Sequence, residues 1–177
     1  DRKMTLLFAF VFGGAIVFAD DGITLEKYPD ADAVSVKSFR EITYQTDGTY
    51  VDHDEEWVKV LTDKGRRDES ELVLRYSSRY SSAKVISVSI FDTNGVERVV
   101  DVSSTTMETT DNSSMDENIY DSQHRKVVCN VPGLKVGETI HYVWERSAFK
   151  SRVEGNWADM AVFEWQCPML DSTLRVI

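Results

Sequence analysis

The stretch that most constrains this chain is Lys126–Arg146, KVVCNVPGLKVGETIHYVWER. Val127, Val128 and Val131 run into Pro132-Gly133, and Gly137 closes the turn region. Beyond it, Ile140, Tyr142 and Trp144 alternate with Thr139, His141, Val143 and Glu145. A period of two, built from β-branched and aromatic residues, suits a half-buried antiparallel strand and conflicts with a helix. The segment reads as a strand, a turn and a second strand forming a hairpin, so the expected class is all-β.

The remaining chain repeats that pattern. Strands are expected over Val34–Tyr44, Tyr50–Leu61, Leu72–Tyr76, Lys84–Phe91, Val96–Val102, Met160–Trp165 and Ser172–Ile177. A change of apolar parity between Val36 and Phe39 predicts a bulge. In the fourth strand, Ile86, Val88 and Ile90 are expected on one face, opposite Val85, Ser87 and Ser89. Thr46-Asp47-Gly48 and Asn94-Gly95 are hairpin-type turns. Ser103–Asn118 is low in complexity, with two methionines as its apolar content, and reads as a mobile surface loop. No helical periodicity of three or more turns follows Ala19. Closely spaced strands with turn signals between them predict one antiparallel β-sandwich over residues 33–177, after a polar start at 20–32.

The first residues obey another rule. Met4–Ala19 is uncharged and apolar, follows Arg2-Lys3, and ends with Val17 and Ala19 at positions suited to signal-peptidase cleavage before Asp20. A spanning helix needs about 20 apolar residues, longer than this Gly13-Gly14-interrupted run. Residues 1–19 are therefore expected to be a removable signal peptide, giving an exported, periplasmic or secreted domain without stable membrane insertion. An uncleaved anchor is the alternative. The pattern at Leu174–Ile177 stops in mid-strand, as a fragment of a longer protein would. The net charge of -10 disfavours nucleic acid and anionic lipid as partners.

Export also changes the meaning of Cys129 and Cys167, since an oxidising compartment permits one disulfide between them. Buried free thiols are the alternative. Neither sits beside a His or helix start that would lower its pKa, so a structural role is expected.

Other polar groups allow chemistry without specifying it. In Asp52-His53-Asp54-Glu55-Glu56, the residues Asp52, Asp54 and Glu56 share one strand face and could ligate a divalent metal. Charges just after a turn more often solvate a strand edge, which is the expectation here. Asp111, Asn112, Ser113, Asp116 and Glu117 could gather Ca²⁺ but lack the EF-hand spacing. Asn112-Ser113-Ser114 is a glycosylation triplet, relevant to a eukaryotic secretory route. His124, His141 and Cys129 are the nucleophile-or-base candidates, with His141 on the less buried face of its strand. Trp57, Tyr142, Trp144, Trp157, Phe163 and Trp165 are expected in the core, except Trp157, whose irregular surroundings would leave it free to contact a ligand. No cofactor is implied.

Four segments in order carry a family likeness: YPDADAV at Tyr28–Val34, WVKVLTDKG at Trp57–Gly65, ISVSIFDTNGVE at Ile86–Glu97 and VPGLKVGETIHYVWE at Val131–Glu145. The chain resembles a bacterial domain of unknown function found near the N-terminus of exported transglutaminase-like proteins. That resemblance implies an antiparallel β-sandwich preceding a domain with a Cys-His-Asp constellation. No catalytic residue carries over to this chain. The expected role is a non-catalytic accessory domain that positions or shields the downstream enzyme domain, or binds a protein or glycan in the cell envelope. The alternatives are a regulatory segment of a papain-like amidase or acyltransferase with its catalytic domain beyond Ile177, and a free-standing metal- or glycan-binding module.

Overall fold

A computed structural model describes residues 22–113, 121–163 and 167–177. The signal-peptide reading lies outside these residues. Within them the protein is mostly β. The strands are β1 (Ala33–Tyr44), β2 (Tyr50–Val60), β3 (Glu71–Ser77), β4 (Ser81–Phe91), β5 (Glu97–Val100), β6 (Thr106–Thr110), β7 (His124–Asn130), β8 (Thr139–Ala148) and β9 (Ser172–Val176). Two short helices, α1 (Asp63–Asp68) and α2 (Val102–Thr105), interrupt them.

One sheet has the order β5-β4-β8-β2-β1-β9, and a smaller one the order β3-β7-β6. Every pairing is antiparallel except that of β1 with β9. The core lies between the sheets. Val58, Val60, Val88, Ile90 and Ile140 of the large sheet meet Leu72 and Cys129 of the small one. The expected sandwich is present, and its turns are where Gly48 and Gly95 adopt positive φ.

Lys126–Arg146 is not a hairpin. β7 pairs with β3 and β6, while β8 pairs with β2 and β4, so the Pro132–Gly137 turn carries the chain from one sheet to the other. Val131 and Leu134 are buried at this crossing, and Arg98 of β5 donates to the carbonyls of Pro132 and Gly133 at 3.0 and 2.9 Å. A turn signal fixes a reversal of the chain but not which neighbour each strand will choose.

Three other local expectations change. The β1 bulge falls at Val36, between Ser35 and Lys37 in the register. A second bulge, between Val85 and Ser87, pushes Ile86 out to 42% exposure and turns Val85 toward the core. The low-complexity stretch is α2 and β6 through Thr110, because its threonines complete a ladder on β7; residues 114–120 lie outside the described ones. Met160–Phe163 is irregular and not a strand, and Trp165 lies outside the described residues.

α1 was also unforeseen. Thr62 caps it by accepting from the Gly65 amide at 3.0 Å and donates to Asp32 Oδ1 at 2.6 Å. The amides of Leu61 and Thr62 bond the Asp32 carbonyl. This small helix ties the N-terminal segment to the end of β2 and places Glu69, its C-cap, beside the sheet interior.

Candidate functional site

The even-numbered residues of β2 face the space between the sheets. Val58 and Val60 fill the core at one end, and Asp52, Asp54 and Glu56 continue the same row at the other. β2 is a central strand, between β1 and β8, so these carboxylates do not solvate an edge as expected. Across from them in register stand Arg146, Trp144 and Tyr142 of β8. Glu69, Leu72 and Leu74 close the other side. Asp54, Glu56, Tyr142, Trp144, Glu69, Leu72 and Leu74 line a cleft of about 560 Å³. An adjoining space of about 710 Å³ shares Asp54, Glu56, Glu69, Tyr142 and Trp144 and extends to Met160–Phe163 and Leu174.

The acidic residues are not equivalent. Asp52 is fully buried, and Arg40 of β1 holds it with two hydrogen bonds of 2.9 and 2.8 Å. Arg40 also reaches Asp159. These carboxylates raise the Arg40 pKa above its ordinary value, so the guanidinium stays charged. Asp54 has no such partner. Burial first, then the charges of Glu56 and Asp52, push its carboxyl up to about 7, and its Oδ1 is buried without a hydrogen bond. Burial also raises Glu56, opposed by a 2.7 Å bond from the Ser35 hydroxyl. Glu69 is pushed up to about 7 by burial and by Glu56 and Asp68. The Tyr142 phenol, buried among the same carboxylates, is held well above its usual value.

Among the described residues no group of three His, Cys, Asp or Glu side chains is arranged to hold a metal ion. Asp111 instead pairs with Arg75 at 3.0 Å and accepts from the Ser113 amide, while Asn112 and Ser113 are exposed. Asp116 and Glu117 lie outside the described residues.

The Cys-His candidates are spread over three places. Cys129 is buried in the core, its Sγ 3.6 Å from Thr105 Oγ1. His124 is exposed at the start of β7, 3.8 Å from Asp121. His141 lies on the outer face of the large sheet, stacked on Trp57 at 4.1 Å and 2.8 Å from Glu55 Oε1. Cys129 and Cys167 are both free thiols here, which is the alternative to a disulfide between them. Burial pushes the Cys167 thiol up, which disfavours the thiolate a nucleophile needs.

The aromatics divide differently from expectation. Tyr142 and Trp144 form cleft wall, and Trp57 packs on the outer face. Trp157 is not a free contact surface: it is half-buried against Tyr44 and Tyr50, at centroid distances of 5.6 and 6.4 Å. Its indole N–H is buried and unbonded. One group of exposed apolar residues lies around β9: Met160 at 76%, Phe163 at 57%, with Val162, Leu170 and Val176; others, such as Val96 and Val99, lie at β5. Sequence reasoning missed Glu69 and the cleft. The parity that joins Asp54 and Glu56 to Val58 and Val60 was the available signal.

The fold is similar to the crystal structure of a candidate protease from Parabacteroides distasonis ATCC 8503, with a TM-score of 0.58 and 18% identity. The match covers 68% of this chain and 24% of that one, so the chain spans about a quarter of the length of that protein. A weaker likeness, with a TM-score of 0.37 and 13% identity, is to a CBM3a-L domain from the scaffoldin cipA of the Clostridium thermocellum cellulosome, over 68% of this chain and 69% of that one. No curated protein matches the chain. A family model described as a Domain of Unknown Function with solved-structure structure matches residues 46–177, and on that match the chain belongs to the DUF3857 family.

Proposed function

We propose that this chain is a non-catalytic accessory domain of a larger exported bacterial protein, of transglutaminase-like type, and that it positions or shields an enzyme domain of that protein. The observation that carries this reading is the apolar band around β9. Met160, Val162, Phe163, Leu170 and Val176 are exposed beside a strand that is the last in its sheet. An edge strand offers unpaired backbone groups, and apolar side chains beside it favour a protein partner over water. The candidate protease supports the reading by analogy, because its matched part is a minor portion of its length.

Two measurements test it. Reading the gene beyond Ile177 is expected to show a Cys, then a His, then an Asp in a mixed α/β pattern. A stop codon shortly after Ile177 would sink the proposal. In the full-length protein, the exchange of M160S/F163S is expected to increase protease cleavage between this domain and the next; unchanged cleavage would remove the docking role. Export is checked by the N-terminus recovered from a bacterial host, expected at Asp20, and an intact residue 1–19 segment would contradict it.

A further inference from the structure

The cleft has three kinds of wall. Leu72, Leu74 and Val85 are aliphatic, Tyr142 and Trp144 are aromatic, and Asp54, Glu56 and Glu69 carry carboxylates. A long alkyl stem ending in a cation satisfies all three at once, with its stem on apolar surface and its head between carboxylates and a ring face.

The guanidinium groups beside the carboxylate row, those of Arg40 and Arg146, are already engaged. Arg40 is committed to Asp52 and Asp159. Arg146 lies over the Trp144 ring at 5.5 Å and donates to the Arg75 carbonyl at 3.4 Å. Two buried polar atoms here have no partner: Asp54 Oδ1, an acceptor in the cleft wall, and Arg146 Nε, a donor in the wall of the adjoining space. Buried groups of this kind are ordinarily satisfied. One unmet acceptor beside two further acids calls for a donor with positive charge, and the unmet Arg146 donor calls for a carbonyl.

We propose that the cleft binds a lysine or arginine side chain presented by a partner polypeptide, its cationic head among Asp54, Glu56 and Glu69, with a main-chain carbonyl of that partner accepting from Arg146 Nε. The volume of about 560 Å³ is within the range of ordinary ligand pockets. The net charge of -10 favours approach of a cationic segment. A divalent ion fits worse, since among the described residues the carboxylates are not grouped to hold one. A neutral sugar would leave the carboxylate charges uncompensated once Asp54 and Glu69 ionise above about pH 7. The cleft adjoins the Met160–Phe163 part of the band at β9, and the two proposals are read separately: M160S/F163S reports on the band, and the peptide titration with the carboxylate variants reports on the cleft.

The test is a titration of the full chain, followed by backbone amide chemical shifts, with the peptides acetyl-Gly-Lys-Gly-amide and acetyl-Gly-Arg-Gly-amide. The norleucine peptide is the uncharged control, and CaCl₂ and cellotetraose are separate arms. Saturable shifts confined to β2, β3 and β8 are expected with at least one cationic peptide, weakened at least tenfold for norleucine and for E56Q/E69Q. Should that variant fail to give a folded spectrum, D54N replaces it, with the same weakening expected. Absence of shifts with both cationic peptides, equal binding of norleucine, or tighter binding of Ca²⁺ or sugar in the cleft would overturn the proposal.

Discussion

Asp52 has no access to solvent, so its charge is stabilised mainly by the two hydrogen bonds from Arg40. Truncating Arg40 would leave that charge buried and unpaired. Removing one member of a buried pair costs about 3–5 kcal/mol, whereas replacing both with apolar residues is often close to neutral. Arg40→Ala is therefore expected to destabilise the fold by about 3 kcal/mol, and R40M/D52L to recover most of the loss. Urea denaturation of the three proteins reads the difference. A single variant as stable as the parent would show that Asp52 is not held in this way. At this scale the sequence was misleading. Asp52, Asp54 and Glu56 look like solvated residues because of their type, and their burial follows from the position of β2 between β1 and β8.

At the scale of elements, bulges and close approaches decide what a substitution does. The bulge in β4 exposes Ile86 while Ile90 remains in the core. Ile90→Ala should cost about 2–5 kcal/mol and Ile86→Ala at most about 0.5. Equal losses in thermal or urea unfolding would place the register shift elsewhere. α1 gives a case where intrinsic propensity points the wrong way. Alanine is favoured over glycine in a helix by about 1 kcal/mol. A Cβ on Gly65, however, would lie 2.0 Å from the Asp32 carbonyl oxygen, which is backbone and tied to Leu61 and Thr62. Gly65→Ala is expected to lower stability by about 1–3 kcal/mol, and a higher melting temperature would refute the close approach. Neither the bulge at Ile86 nor the crowding at Gly65 is encoded by local pattern, because each depends on a segment distant in sequence.

Across the whole molecule the carboxylates divide into two groups with opposite pH behaviour. Asp54 and Glu69 are raised to about 7 and Glu56 is raised, all from burial. In the unfolded chain they titrate near 4, at about 3.9 for Asp and 4.3 for Glu. Between those values the native state holds more protons than the unfolded one, so their contribution is lost as pH rises through about 7. Asp32, Asp47, Asp92, Asp101 and Glu108 are lowered by hydrogen bonds, and their contribution is lost below about pH 4. The isolated domain should thus be more stable near pH 5 than at pH 8. Asp54→Asn should raise stability at pH 8 by roughly 1–3 kcal/mol and change it little at pH 4, since one pKa unit is about 1.4 kcal/mol. Chemical denaturation at the three pH values checks this, and a loss of stability at pH 8 would show that Asp54 makes favourable bonds as an anion. A cation in the cleft would shrink the gain, because the same charge would then be compensated.

The sequence by itself determined the all-β class, the approximate strands and the reversals at Gly48, Gly95 and Pro132-Gly133. Alternation with a period of two and turn chemistry are local properties, set by backbone geometry and side-chain shape. It did not determine partners or faces. Lys126–Arg146 fits a hairpin locally, yet its strands pair with β3 and β6 on one side and with β2 and β4 on the other. Strand pairing is settled by hydrogen bonds and burial between residues far apart in the chain, and alternation is symmetric until one face is covered. Only the meeting of the two sheets chose the even face of β2 as interior. That choice enclosed Asp54 and Glu56, brought Glu69 to them, and made three ordinary surface-type residues into the walls of a cleft.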